Sequence, residues 1–133
     1  MPSGTLWACC NVGASAPEGY GGYYTFDEAQ AYNPPSRDQI NELVDNCTSV
    51  WTTQNGVNGR KFTGPNGGTI FLPAAGNRWY GEFNLAGSYG DYWSSTLNGS
   101  YPVSACSLDF FTGNVYWRSN GGRNGGLSVR PVR

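Results

Sequence analysis

Residues 34–47 read PPSRDQINELVDNC, the clearest helical pattern in the chain. Pro34-Pro35 stop whatever precedes them, and Ser36 can cap a helix with Gln39 reaching back. Ile40, Leu43, Val44 and Cys47 then fall at i, i+3, i+4 and i+7, which predicts an amphipathic helix lying on a core. Upstream, TFDEAQAY places Thr25 and Glu28 at capping-box spacing before a shorter helical run. Downstream, SVWTTQ, GRKFT, GTIFLPA, DYWSST, ACSLDFF, NVYWR and LSVRPVR read as short strands rich in β-branched and aromatic residues. TLWACCNV, Thr5 to Val12, alternates well enough for a first strand. Turn signals at Asn55-Gly56, Asn58-Gly59, Pro65-Asn66-Gly67 and Thr112-Gly113-Asn114 separate the later strands. Helices early and strands late are the pattern of an α+β domain.

The 133 residues suit one domain spanning 1–133, large enough to bury a core. With 38% hydrophobic, 15% aromatic and only 13% charged residues, the composition excludes intrinsic disorder. A formal net charge of -1 is the wrong sign for binding a phosphate backbone, so no nucleic-acid partner is expected. No apolar run approaches the roughly 18 residues of a membrane span, so no membrane insertion is expected either. Met1-Pro2-Ser3 lacks the charged and apolar regions of a signal peptide, which leaves a missing upstream part or another export route.

Cys9, Cys10, Cys47 and Cys106 are too few and too irregular for a disulfide scaffold, and no C-x-x-C pair suggests zinc. One bridge at most is expected, with Cys10 and Cys47 as the pair considered. Histidine is absent, which removes the usual general base, the commonest metal ligand and every Ser-His or Cys-His nucleophile arrangement.

Twenty glycines imply many turns with densely packed aromatics between them. The loosest tract, RSNGGRNGG at 118–126, has three readings: a disordered linker, an Arg/Gly nucleic-acid tail, or a binding loop. Net charge argues against the tail. The strand pattern LSVRPVR after the tract argues against the linker.

Several blocks resemble a known group. PSRDQINELVDN is similar to the P-[ST]-x-x-E-[WI]-x-x-[LA] helix entry of the formylglycine-generating-enzyme-like branch of the C-type lectin fold. WTTQNGVNG, IFLPAAG, YWSST and SVRPVR resemble the bacterial major-paralogous-domain proteins, which share that fold, and the likeness covers almost the whole chain. From about Tyr92 onward, 92–133, the chain is similar to the variable region of diversity-generating-retroelement target proteins, displayed ligand-binders of phage particles and bacterial surfaces. The resemblance implies two helices, short antiparallel strands, long irregular loops and paired N- and C-terminal strands. It also implies a virion-associated or bacterial cell-surface location, and a protein or glycan on a target cell surface as ligand.

After Glu82 there is no Lys, Gln, Glu, Met or His, while Asn, Ser, Gly, Tyr, Asp and Cys crowd positions 98–125. Retroelement mutagenesis at adenines of Asn-type codons has the same absences, apart from Trp93 and Trp117. Paratopes use a similar palette, with Tyr as rigid anchor and Ser, Gly and Asn as adaptable hydrogen-bonders. Ordinary turn chemistry uses the same letters.

On a diversified face the candidates are Ser100, Tyr101, Val103, Ser104, Ser107, Asp109, Tyr116, Arg118, Ser119, Asn120 and Asn124, with Tyr101, Tyr116 and Arg118 as anchors. Strand alternation in ACSLDF sends Leu108 and Phe110 inward with Cys106, and Ser107 and Asp109 outward. The family analogy instead lets Cys106 vary, so its side stays open. Trp93 is assigned to the core, and Arg130 and Arg133 to covering the strand's outer face or satisfying loop carbonyls.

No catalytic residue, metal or cofactor is expected. Formylglycine-generating enzymes use two closely spaced late cysteines, and only Cys106 lies in that half here. The Glu-Pro-Asn and Gln-Pro-Asp calcium motifs of sugar-binding lectins do not occur, and GPNGG at 64–68 reads as a turn. Asp27, Glu28, Glu82, Asp91 and Asp109 form no recognisable pair for glycoside hydrolysis. A non-enzymatic ligand- or receptor-binding domain leads. An invariant structural or adhesin domain of a bacterial surface or pilus protein is the alternative, and a divergent enzyme of the same fold comes last.

Overall fold

A computed structural model of the chain describes residues 4–79, 82–97, 105–120 and 123–133, with backbone alone at 97 and 118–120. It is an α+β fold with two short α-helices and eight strands in three antiparallel sheets. Helix α1, Phe26–Ala29, begins at Thr25, which forms the expected capping box with Glu28, and runs into a 3-10 turn at Gln30–Tyr32. Helix α2, Arg37–Asn46, begins at Ser36 with the reciprocal Ser36–Gln39 box, so two of its orphan N–H groups are satisfied by side chains. Ile40 and Leu43 are fully buried, and Val44 and Cys47 pack against the same core.

The first sheet joins β1 (Thr48–Gln54), β2 (Val57–Thr63) and β3 (Thr69–Pro73) in that order. Asn55 and Gly56 both have positive φ and close the β1–β2 hairpin, as the Asn-Gly signal predicts. The second Asn-Gly pair is not a turn: Asn58 and Gly59 lie inside β2, paired with Thr53 and Thr52. A two-stranded hairpin, β4 (Asn77–Trp79) with β5 (Glu82–Asn84), was not expected from the sequence pattern. The third sheet orders β6 (Gly90–Leu97), β7 (Ala105–Phe110) and β8 (Val115–Asn120).

The chain ends meet as expected, but through separate bridge pairs rather than full strands. Leu6 and Arg133 exchange backbone hydrogen bonds at 3.0 and 2.8 Å, and Ala8 N–H donates to the Pro131 carbonyl at 2.9 Å. Pro131 has no N–H to return, which interrupts the ladder. Tyr24 and Leu127 likewise exchange bonds at 2.8 and 2.9 Å.

The third sheet is covered on both faces. Tyr92, Leu108 and Phe110 join Ile40 and Leu43 of α2 and Phe62 and Leu72 of the first sheet in one core. On the other face Trp93 and Ala105 pack with Phe26, Ala29, Leu127 and Val129. All six β7 residues are therefore buried, which corrects the outward placement of Ser107 and Asp109. The alternation itself holds, but β7 is the central strand and its second face lies under other chain. Cys106 falls in the core at 2% exposure, and burial pushes its thiol pKa up. No disulfide joins Cys10 to Cys47, and the Cys10 sulfur lies instead beside that of Cys9.

Candidate functional site

Among the described residues, the candidates Tyr116, Arg118, Ser119 and Asn120 lie on β8, and Ser107 and Asp109 on β7 beside it. Cross-strand register puts Asp91, Asp109 and Tyr116 in one row across the three strands, and Trp93, Ser107 and Arg118 in the next. Ser119 pairs with Cys106, and Asn120 with Ala105. Beneath Tyr116 the row is polar and buried: Ser107 Oγ donates to Asp109 Oδ1 at 2.9 Å, and Asn77 Nδ2 of β4 donates to Asp91 Oδ2 at 3.3 Å. The two carboxylates that showed no recognisable pairing in the sequence thus face each other across β6 and β7. At 4% and 0% exposure they are internal groups rather than an open pair flanking a sugar bond.

Tyr116 belongs to a half-exposed aromatic group that the sequence reading did not single out. Its hydroxyl shares a hydrogen bond of 2.5 Å with that of Tyr89. Tyr89 stacks on Phe111 with centroids 6.1 Å apart, and Phe111 meets Tyr116 edge-to-face at 6.5 Å. The turn carrying Phe111 is held from below by Arg60, which donates to the carbonyls of Phe111 and Thr112 at 3.4 and 3.3 Å and to Ser49 Oγ at 2.8 Å. A second exposed aromatic, Phe83 on β5, packs edge-to-face on Tyr23 at 5.2 Å, with the Arg78 guanidinium 5.4 Å from its ring. The signal for Tyr89 and Phe83 was their aromatic character in Gly-rich surroundings. Only the fold places Tyr89 beside Tyr116 of β8, and Phe83 beside Tyr23 and Arg78.

The tract ending at Gly126 is anchored from its C-terminal side. Phe26 N–H donates to the Arg123 carbonyl at 2.9 Å, and Arg123 pairs with Asp27 while its guanidinium lies 5.0 Å from the Phe26 ring. Gly126 and Arg78 exchange backbone bonds at 2.7 and 2.8 Å. Gly125 sits so close to the Trp79 ring that a Cβ there would come within 2.5 Å of it, so the approach of this loop to β4 requires glycine. Asn124, between these anchors, is exposed.

Ser100, Tyr101, Val103 and Ser104 lie outside the described residues, as do the side chains of Arg118, Ser119 and Asn120. Trp93 is core, as expected, with its indole N–H on the Tyr24 carbonyl at 2.7 Å. Arg130 satisfies loop carbonyls, also as expected, but does so from the interior at 1% exposure rather than from an outer face; Arg133 is exposed. A cavity of about 540 Å³ between the chain ends is lined by Leu6, Trp7, Tyr32, Val132 and Arg133 among others, and among the described residues none of the binding-face candidates lines it. Among the described residues no three His, Cys, Asp or Glu side chains converge as metal ligands, and no helix is long and apolar enough to cross a membrane. Compared with known proteins, the chain matches no protein-family profile, no curated protein and no solved structure.

Proposed function

We propose that this chain is a non-enzymatic ligand-binding domain of the C-type lectin-like fold, whose C-terminal residues form a diversified surface like that of retroelement variable proteins on phage or bacterial surfaces. The observation that carries this reading is a division of labour. Among the described residues, Arg123, Gly125 and Gly126 of this tract meet backbone groups and side chains outside the candidate set, those of Phe26, Asp27, Arg78 and Trp79. Tyr116 and Asn124 can change while those anchors stay, and loops on a rigid scaffold carry recognition for that reason. Tyr89, Phe111 and Tyr116 supply the partly exposed aromatic area that binding surfaces favour.

The non-enzymatic assignment rests on the chemistry of the chain. Histidine is missing, and Cys106 is enclosed where no peptide reaches its sulfur. The ligand implied is a protein or glycan of a target cell surface. Probing the domain against whole cells and immobilised glycans, beside Tyr116→Ala, tests the reading. Wild type should bind a subset, and loss of an aromatic anchor should weaken that binding about thirtyfold while the melting midpoint stays close to the parent's. Turnover of a glycan or a thiol-peptide substrate, or equal binding by Tyr116→Ala, would contradict it.

A further inference from the structure

Cys9 and Cys10 have no part in that surface, yet their geometry is specific. Their sulfurs lie 2.9 Å apart, within about 1 Å of disulfide bonding distance. The dipeptide is held on both sides. Ala8 N–H donates to the Pro131 carbonyl at 2.9 Å and Val12 N–H to the Val129 carbonyl at 2.9 Å. Arg130 reaches the Ala8 carbonyl at 3.3 Å and the buried Asn11 side chain at 2.8 Å. The backbone on either side of the dipeptide is thus fixed, and the two thiols face each other across it. Cys9 is exposed and lines a cavity of about 310 Å³ shared with Trp7, Lys61, Phe71 and Arg130.

We propose that Cys9-Cys10 is a reversible oxidation site, a dithiol that closes to a vicinal disulfide by exchange with an anionic low-molecular-weight disulfide admitted at this cavity. Cys9 thiolate attacks one sulfur of the small disulfide, whose S–S bond breaks and releases one thiolate, which takes a proton from solvent. Cys10 then loses its proton to solvent and attacks the Cys9 sulfur, expelling the second thiolate, which is protonated in turn. Two protein thiols have lost two hydrogens, and the small disulfide has become two thiols. Cys9 is the exposed member of the pair and the one that lines the cavity, so an entering disulfide meets its sulfur first and Cys9 is the first nucleophile. Lys61 gives the cavity a cation for the carboxylates of a disulfide such as oxidised glutathione.

Energetics make this a labile link rather than a structural one. Adjacent Cα atoms across a trans peptide are ~3.8 Å apart, short of the ~4.4 Å at which ordinary disulfides begin, so the ring is strained and easily reduced. A loop of two residues also removes almost no entropy from the unfolded chain.

The test is incubation of the folded protein with oxidised glutathione, read by intact mass and by peptide mapping, for wild type, Cys10→Ser and Cys47→Ser. Wild type and Cys47→Ser should end lighter by two hydrogens with Cys9 linked to Cys10, and Cys10→Ser should stop as a glutathione adduct on Cys9. A glutathione adduct that persists in wild type, an absence of reaction at Cys9, or a link that disappears in Cys47→Ser would overturn the proposal.

Discussion

Arg130 Nε donates to Asn11 Oδ1 at 2.8 Å, a buried bond between residues near opposite ends of the chain. The same guanidinium reaches the carbonyls of Phe71, Ala8 and Pro17 at 3.0, 3.3 and 3.3 Å. Asn11 Nδ2 passes the connection to the Tyr92 hydroxyl at 3.0 Å, which donates to the Pro73 carbonyl at 2.7 Å. One cation thereby ties the first segment, the last segment and β3 to the central sheet. It is bonded to neutral acceptors throughout, and burial lowers its pKa.

Arg130→Ala should destabilise the domain by roughly 3 kcal/mol or more, because several buried acceptors lose their donor together. Arg130→Lys should recover less than half of that. An ammonium brings three donors on a flexible stem and cannot span acceptors arranged for a planar fork. Urea unfolding midpoints of the three proteins measure the difference.

Tyr92 gives the network a pH signature. Burial, the main cause, raises its phenol pKa well above the ordinary value near 10, against smaller lowering by Arg130 and Asn11. A raised native pKa means that the unfolded state releases this proton first. Its contribution to stability is therefore complete below about pH 10 and is lost as pH rises beyond that, by up to ~1.4 kcal/mol per pH unit. Tyr92→Phe should be less stable at neutral pH, having lost two hydrogen bonds, and should show a shallower alkaline decline. Denaturant titrations across pH 9 to 12 read both effects.

Helix α2 separates a cap from a core. Ser36→Ala removes one side-chain acceptor at the first turn and should cost about 1 kcal/mol. Leu43→Asp places a charge at a site with 0% exposure and should cost several kcal/mol, enough to remove the cooperative melt. Thermal melts of the pair measure the contrast.

What could be read in advance followed the range of the interactions. Ser36 with Gln39, Thr25 with Glu28 and Asn55 with Gly56 are contacts within three residues, so spacing alone predicts them. The side-chain alternation of β7 was equally local. The burial of Ser107 and Asp109 was not, because their face of the sheet is shared with Trp93 and Ala105, which pack against Phe26, Leu127 and Val129 from elsewhere in the chain. Arg130 misled for a related reason: a charge in an alternating strand reads as surface unless its carbonyl partners are known. The β4–β5 hairpin has three residues in each strand, too few to show a period. Of the candidate set, Tyr116 was named from composition, but its aromatic partners Tyr89 and Phe111 emerged only from packing.

Diversification predicts a mark in the genome. A nearby repeat of the segment encoding residues from about Tyr92 onward should differ from it only at adenines of the repeat, with changes clustered at the candidate codons. Codons for Trp93, Leu127 and Val129, whose side chains are buried, should be unchanged. Sequencing the locus checks this, and differences scattered over all four bases would favour an invariant adhesin domain.

The central claim is that the C-terminal surface varies while the scaffold does not. Its most direct test is a library randomised jointly at Ser100, Tyr101, Val103, Ser104, Tyr116, Arg118, Ser119, Asn120 and Asn124, with Ser107 and Asp109 held fixed, and measured for both melting midpoint and bound target. Most members should melt cooperatively within a few degrees of the parent and should differ in the target they bind. General unfolding across the library, or unchanged binding in members that fold, would contradict the account.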